Sequence, residues 1–237
     1  MISTGALPHT VEVRGIAARA GAAAGIAGPA AFTGAWIAGS LRQSGYPAAE
    51  IQISGLAAPD ARDPWIMVAG FVVLGGCAVA FGATLRDVLG GRGRAGPAPW
   101  LIQGAGLLSI AAGLLRRDRM LLAPGSVSWH NHAHDVISAV IYVDLVAAQV
   151  LLAARFGRDP KLGDPAWKRW RPWLLASGVA TGALLIAFVA DTSAPGAGVL
   201  QRVAVTIPLV AIAAIAARLL QLVRQPPVDD QGASTYS

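Results

Sequence analysis

Charge is what this sequence has least of. Only 14% of its 237 residues are Asp, Glu, Lys or Arg, against roughly 25% in ordinary globular domains. That deficit argues against a soluble enzyme. Cysteine is almost absent. Cys77 stands alone, which excludes a disulfide framework and a Cys-based zinc site. Lysine is nearly missing too: of 19 basic residues only Lys161 and Lys168 are Lys. Aromatics make up 6%, so the apolar excess is aliphatic. The 28 Gly and 15 Pro are too many for packed soluble helices but acceptable in membrane helices. The net charge of +6 fits cytoplasmic loops facing anionic lipid better than a nucleic-acid partner.

The mean hydropathy is +0.54, and charge-free windows carry it. A helix needs about 20 apolar residues to cross a hydrocarbon core. Residues 20–41, 64–85 and 95–115 carry no charge. Residues 136–154 are interrupted once, by Asp144, and 203–223 once, by Arg218. Residues 172–190 are uninterrupted. A soluble helical core would show polar stripes, and Val68–Phe81 shows none. The expected fold is an all-α polytopic bundle of six transmembrane helices, spanning about 20–41, 64–85, 97–115, 134–154, 172–190 and 202–223. Residues 1–16 form an N-terminal arm, and the polar stretch 225–237 reads as a disordered tail. The first span is rich in Gly and Ala; Gly21, Gly25 and Gly28 would let it pack closely on its neighbours.

Lys and Arg counts set the expected orientation. Thirteen fall on the side of the termini and six on the other. The protein is therefore expected in the cell membrane with both termini cytoplasmic. Trp36, Trp65 and Trp129 would lie in an outer aromatic belt, and Trp100, Trp167, Trp170 and Trp173 in an inner one.

Polar groups collect on the outer face. Glu50, Asp60 and Asp63 lie in the first outer loop, Asp118 follows the third span, Asp191 ends the fifth, and Arg202 opens the sixth. The densest stretch is Ser128 to Asp135, with His130, His132, His134 and Asp135. A helix beginning near Trp129 puts His130 and His134 on one face. Two readings follow. The histidines and carboxylates do acid–base work, with His130, His134, Asp118, Asp135 and Asp144 as catalytic candidates. Alternatively, His130 and His134 bind zinc with a third ligand, Asp118 first and Asp135 or Asp191 after it. The bland reading is a helix start, with Asn131 or Ser128 as cap and Asp135 in the first turn. Asp144 lies nearly three turns below His134, where an intramembrane carboxylate is costly. It could serve a site or bridge helices. Arg202 could pair with Asp191 or hold an anionic headgroup.

Three stretches carry a resemblance. They are Gly45-Tyr46-Pro47 followed by Ile53-Ser54-Gly55-Leu56, Gly113–Asp118 followed by Trp129–Asp135, and Gly198–Arg202 opening the last span. In order and spacing the chain resembles the DUF998 family of bacterial and archaeal integral membrane proteins, over about residues 20 to 222. The family's first motif usually reads Ile-Ser-acidic-Leu-Gly; here Gly55 and Ala57 replace the acid and the Gly. The resemblance implies six helices and the outer polar cluster, and names no reaction.

Three functions from different classes are consistent with these features. One is an intramembrane enzyme acting on a lipid or isoprenoid, a hydrolase or a cyclase, with membrane lipid as partner. Another is a small transporter or proton-coupled carrier using Asp144, against which the absence of an inverted repeat counts. The last is a non-catalytic accessory or sensor protein.

Overall fold

A computed structural model describes residues 8–90, 95–120, 127–158, 165–190, 192 and 195–224. Six α-helices account for nearly all of them: α1 (Pro8–Arg42), α2 (Trp65–Val88), α3 (Ala98–Leu114), α4 (Trp129–Arg158), α5 (Pro165–Ala190) and α6 (Ala197–Arg224). No strand occurs among the described residues. The all-α expectation holds. Arg92, Arg94, Lys161, Asp191 and the 225–237 tail lie outside the described residues.

Among the described residues, four helices are long and apolar enough to cross a membrane: Trp65–Val88, Trp129–Phe156, Lys168–Ala190 and Ala197–Gln221. α3 is apolar but has 17 residues, about 25 Å at 1.5 Å per residue, a little short of a ~30 Å hydrocarbon core. α1 has 35 residues, many of them Gly and Ala. Its helix already starts at Pro8, so the second half of the expected N-terminal arm is helical. α4 starts at Trp129, five residues before the expected span, and this puts the His-rich stretch on the helix itself.

The helices form a closed ring in chain order. Each packs on its sequence neighbours, and α6 returns to pack on α1. Short connections and antiparallel neighbours give this arrangement directly. Backbones approach where side chains vanish. A Cβ on Gly28 would lie 2.6 Å from the Cys77 Cβ, and one on Gly25 2.6 Å from the Ala216 Cβ. One on Gly21 would collide with Thr84. The expected small-residue face of α1 thus meets α2 and α6.

Loop 43–64, between α1 and α2, does not stay outside. Its 3-10 turn, Ile53–Ala57, is wholly buried. Ile53, Leu56 and Ala57 join Phe32, Met67, Phe71, Ala112 and Leu209 in one apolar cluster. The loop therefore caps one end of the ring. Polar groups from several helices gather on it.

Candidate functional site

The cap segment Ile51-Gln52-Ile53 is gripped from two sides. From α6, Gln201 Oε1 accepts the Ile53 N–H at 2.7 Å. Arg202 donates to the Ile51 and Gly198 carbonyls, each at 2.8 Å, and to the Tyr46 hydroxyl at 2.8 Å. Its guanidinium also lies over the Trp36 ring, 5.5 Å from the centroid. From the α3–α4 connection, Arg117 donates to the Gln52 side-chain oxygen. The Met120 N–H reaches the Asp60 carboxylate at 2.8 Å. Val199 N–H donates to the Ala49 carbonyl at 3.0 Å, and Gly196 N–H to Glu50 at 3.0 Å. At the rim Arg42 meets Asp63 at 2.6 Å, with Asp63 at φ 55°.

These contacts explain where charge settles. Arg117 and Arg202 are buried. Burial lowers the Arg117 pKa, and the Asp135 and Asp118 carboxylates oppose that. Burial likewise raises the Tyr46 phenol against the pull of Arg202. Arg202 has no carboxylate among the described residues within salt-bridge distance. The expected pairing with Asp191 lies outside the described residues, and the contacts on the page make Arg202 a clamp on the loop.

The His/Asp cluster is taken apart by packing. Asp118 accepts both the Ser128 N–H, at 2.7 Å, and the Ser128 hydroxyl. Ser128 in turn caps α4, its Oγ accepting the Asn131 N–H at 3.3 Å. Asn131 is buried and donates to Asp135 at 2.9 Å. His134 is 1% exposed. Its Nδ1 lies 2.9 Å from the carbonyl oxygens of both Ala112 and Leu115, at the end of α3. Nδ1 therefore carries the proton and ties α4 to α3. His130 is exposed and stacks on Trp129 with centroids 3.8 Å apart. His132 and Asp135 are exposed.

The anticipated His130/His134 face does not converge, because α4 turns His134 into the α3 terminus and leaves His130 outside. Among the described residues no group of three or more His, Cys, Asp or Glu could hold a metal ion. The zinc alternative through His130, His134 and Asp118 is not assembled: each of the three is engaged elsewhere. Asp144 is remote from all of them. It is half-buried in mid-span, its carboxylate 3.3 Å from where a Gly104 Cβ would stand.

The Ser128 donors hold the Asp118 carboxyl below the usual carboxylate range. A lowered folded-state pKa stabilises above the unfolded value of about 3.9, and the contribution is lost as pH falls through the lower folded value. Asp118→Ala should melt earlier than the parent at neutral pH, with the difference closing on acidification below about pH 4. Thermal melts across that range check it.

Residues that the charge pattern passed over line a cavity beneath the cap. It measures about 60 Å³ and lies among α1, α2, α3, α4 and α6. Its walls are apolar, with Phe32, Phe71 and Leu209 prominent. The polar exceptions are Ser54, Ser109, Ser138, Tyr142 and Gln201. A groove of about 560 Å³ runs between α4 and α5, lined by Val146, Val150, Gly182, Leu185 and Ile186 among others. Tyr142 belongs to both. The signal for it was slight: one phenol in an aliphatic span.

A family model described as a protein of unknown function, DUF998, matches residues 26–218. The chain belongs to the DUF998 family. No curated protein and no solved structure matches it. The DUF998 segment takes in Gly28 of the small-residue face of α1, the whole cap and both walls of the groove. With four apolar helices of spanning length, this DUF998 chain is a multi-pass membrane protein.

Proposed function

We propose that this DUF998 protein takes up the chain of a membrane lipid, acyl or isoprenoid, from the bilayer and presents its end to the interior of the bundle. The observation that carries the reading is Tyr142, which forms part of both the α4–α5 groove and the interior cavity. The groove volume suits a chain, whereas the cavity suits only a small end group. In this reading the cap end faces away from the cytoplasm, as the excess of basic residues on the other side supports. Gln201, Arg202 and Arg117 keep the cap closed over the cavity. A second reading, a lipid-processing enzyme, draws support from His134. Protonation at Nδ1 leaves Nε2 as the ring's acceptor, the form a general base needs.

Gly182→Phe tests the proposal. A Cβ at Gly182 meets nothing closer than 4.0 Å, so the ring fills the groove without forcing the backbone. Lipid retained through detergent purification, measured by extraction and mass spectrometry, should fall roughly tenfold, equivalent to ~1.4 kcal/mol. Undiminished lipid in a well-folded variant would remove the proposal. Recovery of a chemically altered lipid that disappears in His134→Gln would move the balance to the enzyme.

A further inference from the structure

We propose that Asp144 is the docking point for a transmembrane helix of another protein, one that carries a lysine or arginine at mid-membrane. The inference is independent of lipid uptake, which uses the α4–α5 side of the same helix.

Depth sets the problem. Asp144 lies inside the Trp129–Phe156 span. It stands nine residues beyond Asp135 and eleven before Arg155, about 14 and 16 Å along the helix axis. An aspartate side chain is too short to reach the headgroups from there, unlike the long stems of Lys and Arg. Among the described residues no hydrogen bond or ion pair reaches its carboxylate. A carboxyl left that way in hydrocarbon is costly in either form, since the protonated acid still needs an acceptor for its proton. A partner from outside the chain removes that cost.

The surface around Asp144 admits one. The residue is half-buried on the α3 side of α4, its carboxylate 3.3 Å from where a Gly104 Cβ would stand. Nothing else lies within 4 Å of that position, so α3 leaves open space beside the carboxylate. Ala147, one turn along α4, is also small and shares the face of Asp144. Val140, Val143 and Leu107 stand exposed nearby. A helix laid on this seam meets an apolar surface with one carboxylate, at a notch where backbones can come close.

Charge selects the occupant. A second copy of this chain has no cation to offer at that depth. Besides Asp144 only Arg218 interrupts the apolar windows, and it sits three residues from the Gln221 end of its span. A metal ion needs several oxygen ligands at once, and among the described residues no suitable group of His, Cys, Asp or Glu gathers. Cationic lipid headgroups stay at the interface. A lysine or arginine on another helix meets the carboxylate at its own depth. There the attraction is unscreened by water and the hydrogen bond is charge-assisted.

The test reconstitutes the full chain in phosphatidylcholine vesicles with three synthetic transmembrane helices. They are alike except at the central residue, which is arginine, leucine or glutamate. Energy transfer from a donor fused after Ser237 to an acceptor on the peptide reads association. The arginine helix should associate roughly tenfold more tightly than the leucine helix, and the glutamate helix no more tightly than leucine. Asp144→Asn should bring arginine down to leucine and leave leucine unchanged, while Asp144→Glu should keep most of the preference. Four results overturn the inference. They are equal association of the arginine and leucine helices with the parent, tightest association of the glutamate helix, an arginine preference that survives in Asp144→Asn, and self-association of the parent that Asp144→Asn removes. The last would assign the seam to a second copy. The first two need no variant, so misfolding cannot shelter the idea.

Discussion

Gly75→Leu should abolish recovery of monodisperse protein, while Gly76→Ala, one position along, should be neutral or slightly stabilising. Gly75 of α2 and Gly106 of α3 face each other. A Cβ on Gly75 would overlap the Gly106 carbonyl oxygen, and one on Gly106 would stand 2.7 Å from the Gly75 carbonyl oxygen. Both obstacles are backbone, so no rotamer change relieves the clash and the two helices must part. Even alanine overpacks here, at about 1–3 kcal/mol. Leucine separates α2 from α3 along the contact, which opens the cavity wall that Gly106 helps to form. Gly76 has nothing within 4 Å of its Cβ position, and replacing an interior helix glycine with alanine gains roughly 0.5–1 kcal/mol of helix propensity in water. Size-exclusion profiles and thermal melts of the pair decide it. Equal behaviour of the two variants would contradict the reciprocal packing.

Arg202→Leu should cost about 3 kcal/mol or more, and Arg202→Lys should recover only part of that. The guanidinium serves two carbonyls and a phenol at once, and hydrogen bonds to a charged donor contribute about 1.5–3 kcal/mol each. Its place over Trp36 adds a smaller amount. Leucine leaves the Ile51 carbonyl with only the long contact from the Tyr46 hydroxyl, at 3.5 Å. Lysine presents a point charge and cannot reach three acceptors in a fork. The consequence should be local before it is global. Loop 43–64 should become sensitive to protease in Arg202→Leu at temperatures where the helices persist. A loop that stays resistant, with unchanged melting, would show that the clamp contributes little.

The helices could be read from the chain because lipid imposes a length and forbids charge. Every charge-free window became a helix, and Ser128 with Asn131 did start α4. The cap could not be read. Ile51, Ile53, Leu56 and Ala57 sit between polar residues in what looks like a surface connection. Only the ring of helices makes a hollow that needs them. The His-rich stretch misled for a related reason. Spacing places His130 and His134 within 40° of each other about the helix axis, but says nothing of where α3 lies. A neighbour packed against one edge of that face buried one imidazole and left the other outside. Trp36 likewise reads as an interface residue until Arg202 is found over it. Tyr142, a single polar group in an apolar span, carried no pattern, and Gln201 entered only as part of the Gly198–Arg202 stretch.

The order of the ring bears on biosynthesis. Helices one to five can assemble successively as each leaves the ribosome, since every one meets a neighbour already made. The latch on the first extramembrane loop arrives only with α6, because Gln201 and Arg202 belong to it. A nascent chain halted before that helix would expose an open, greasy mouth, the kind of surface that quality-control proteases recognise. Closure of the molecule therefore waits for α6.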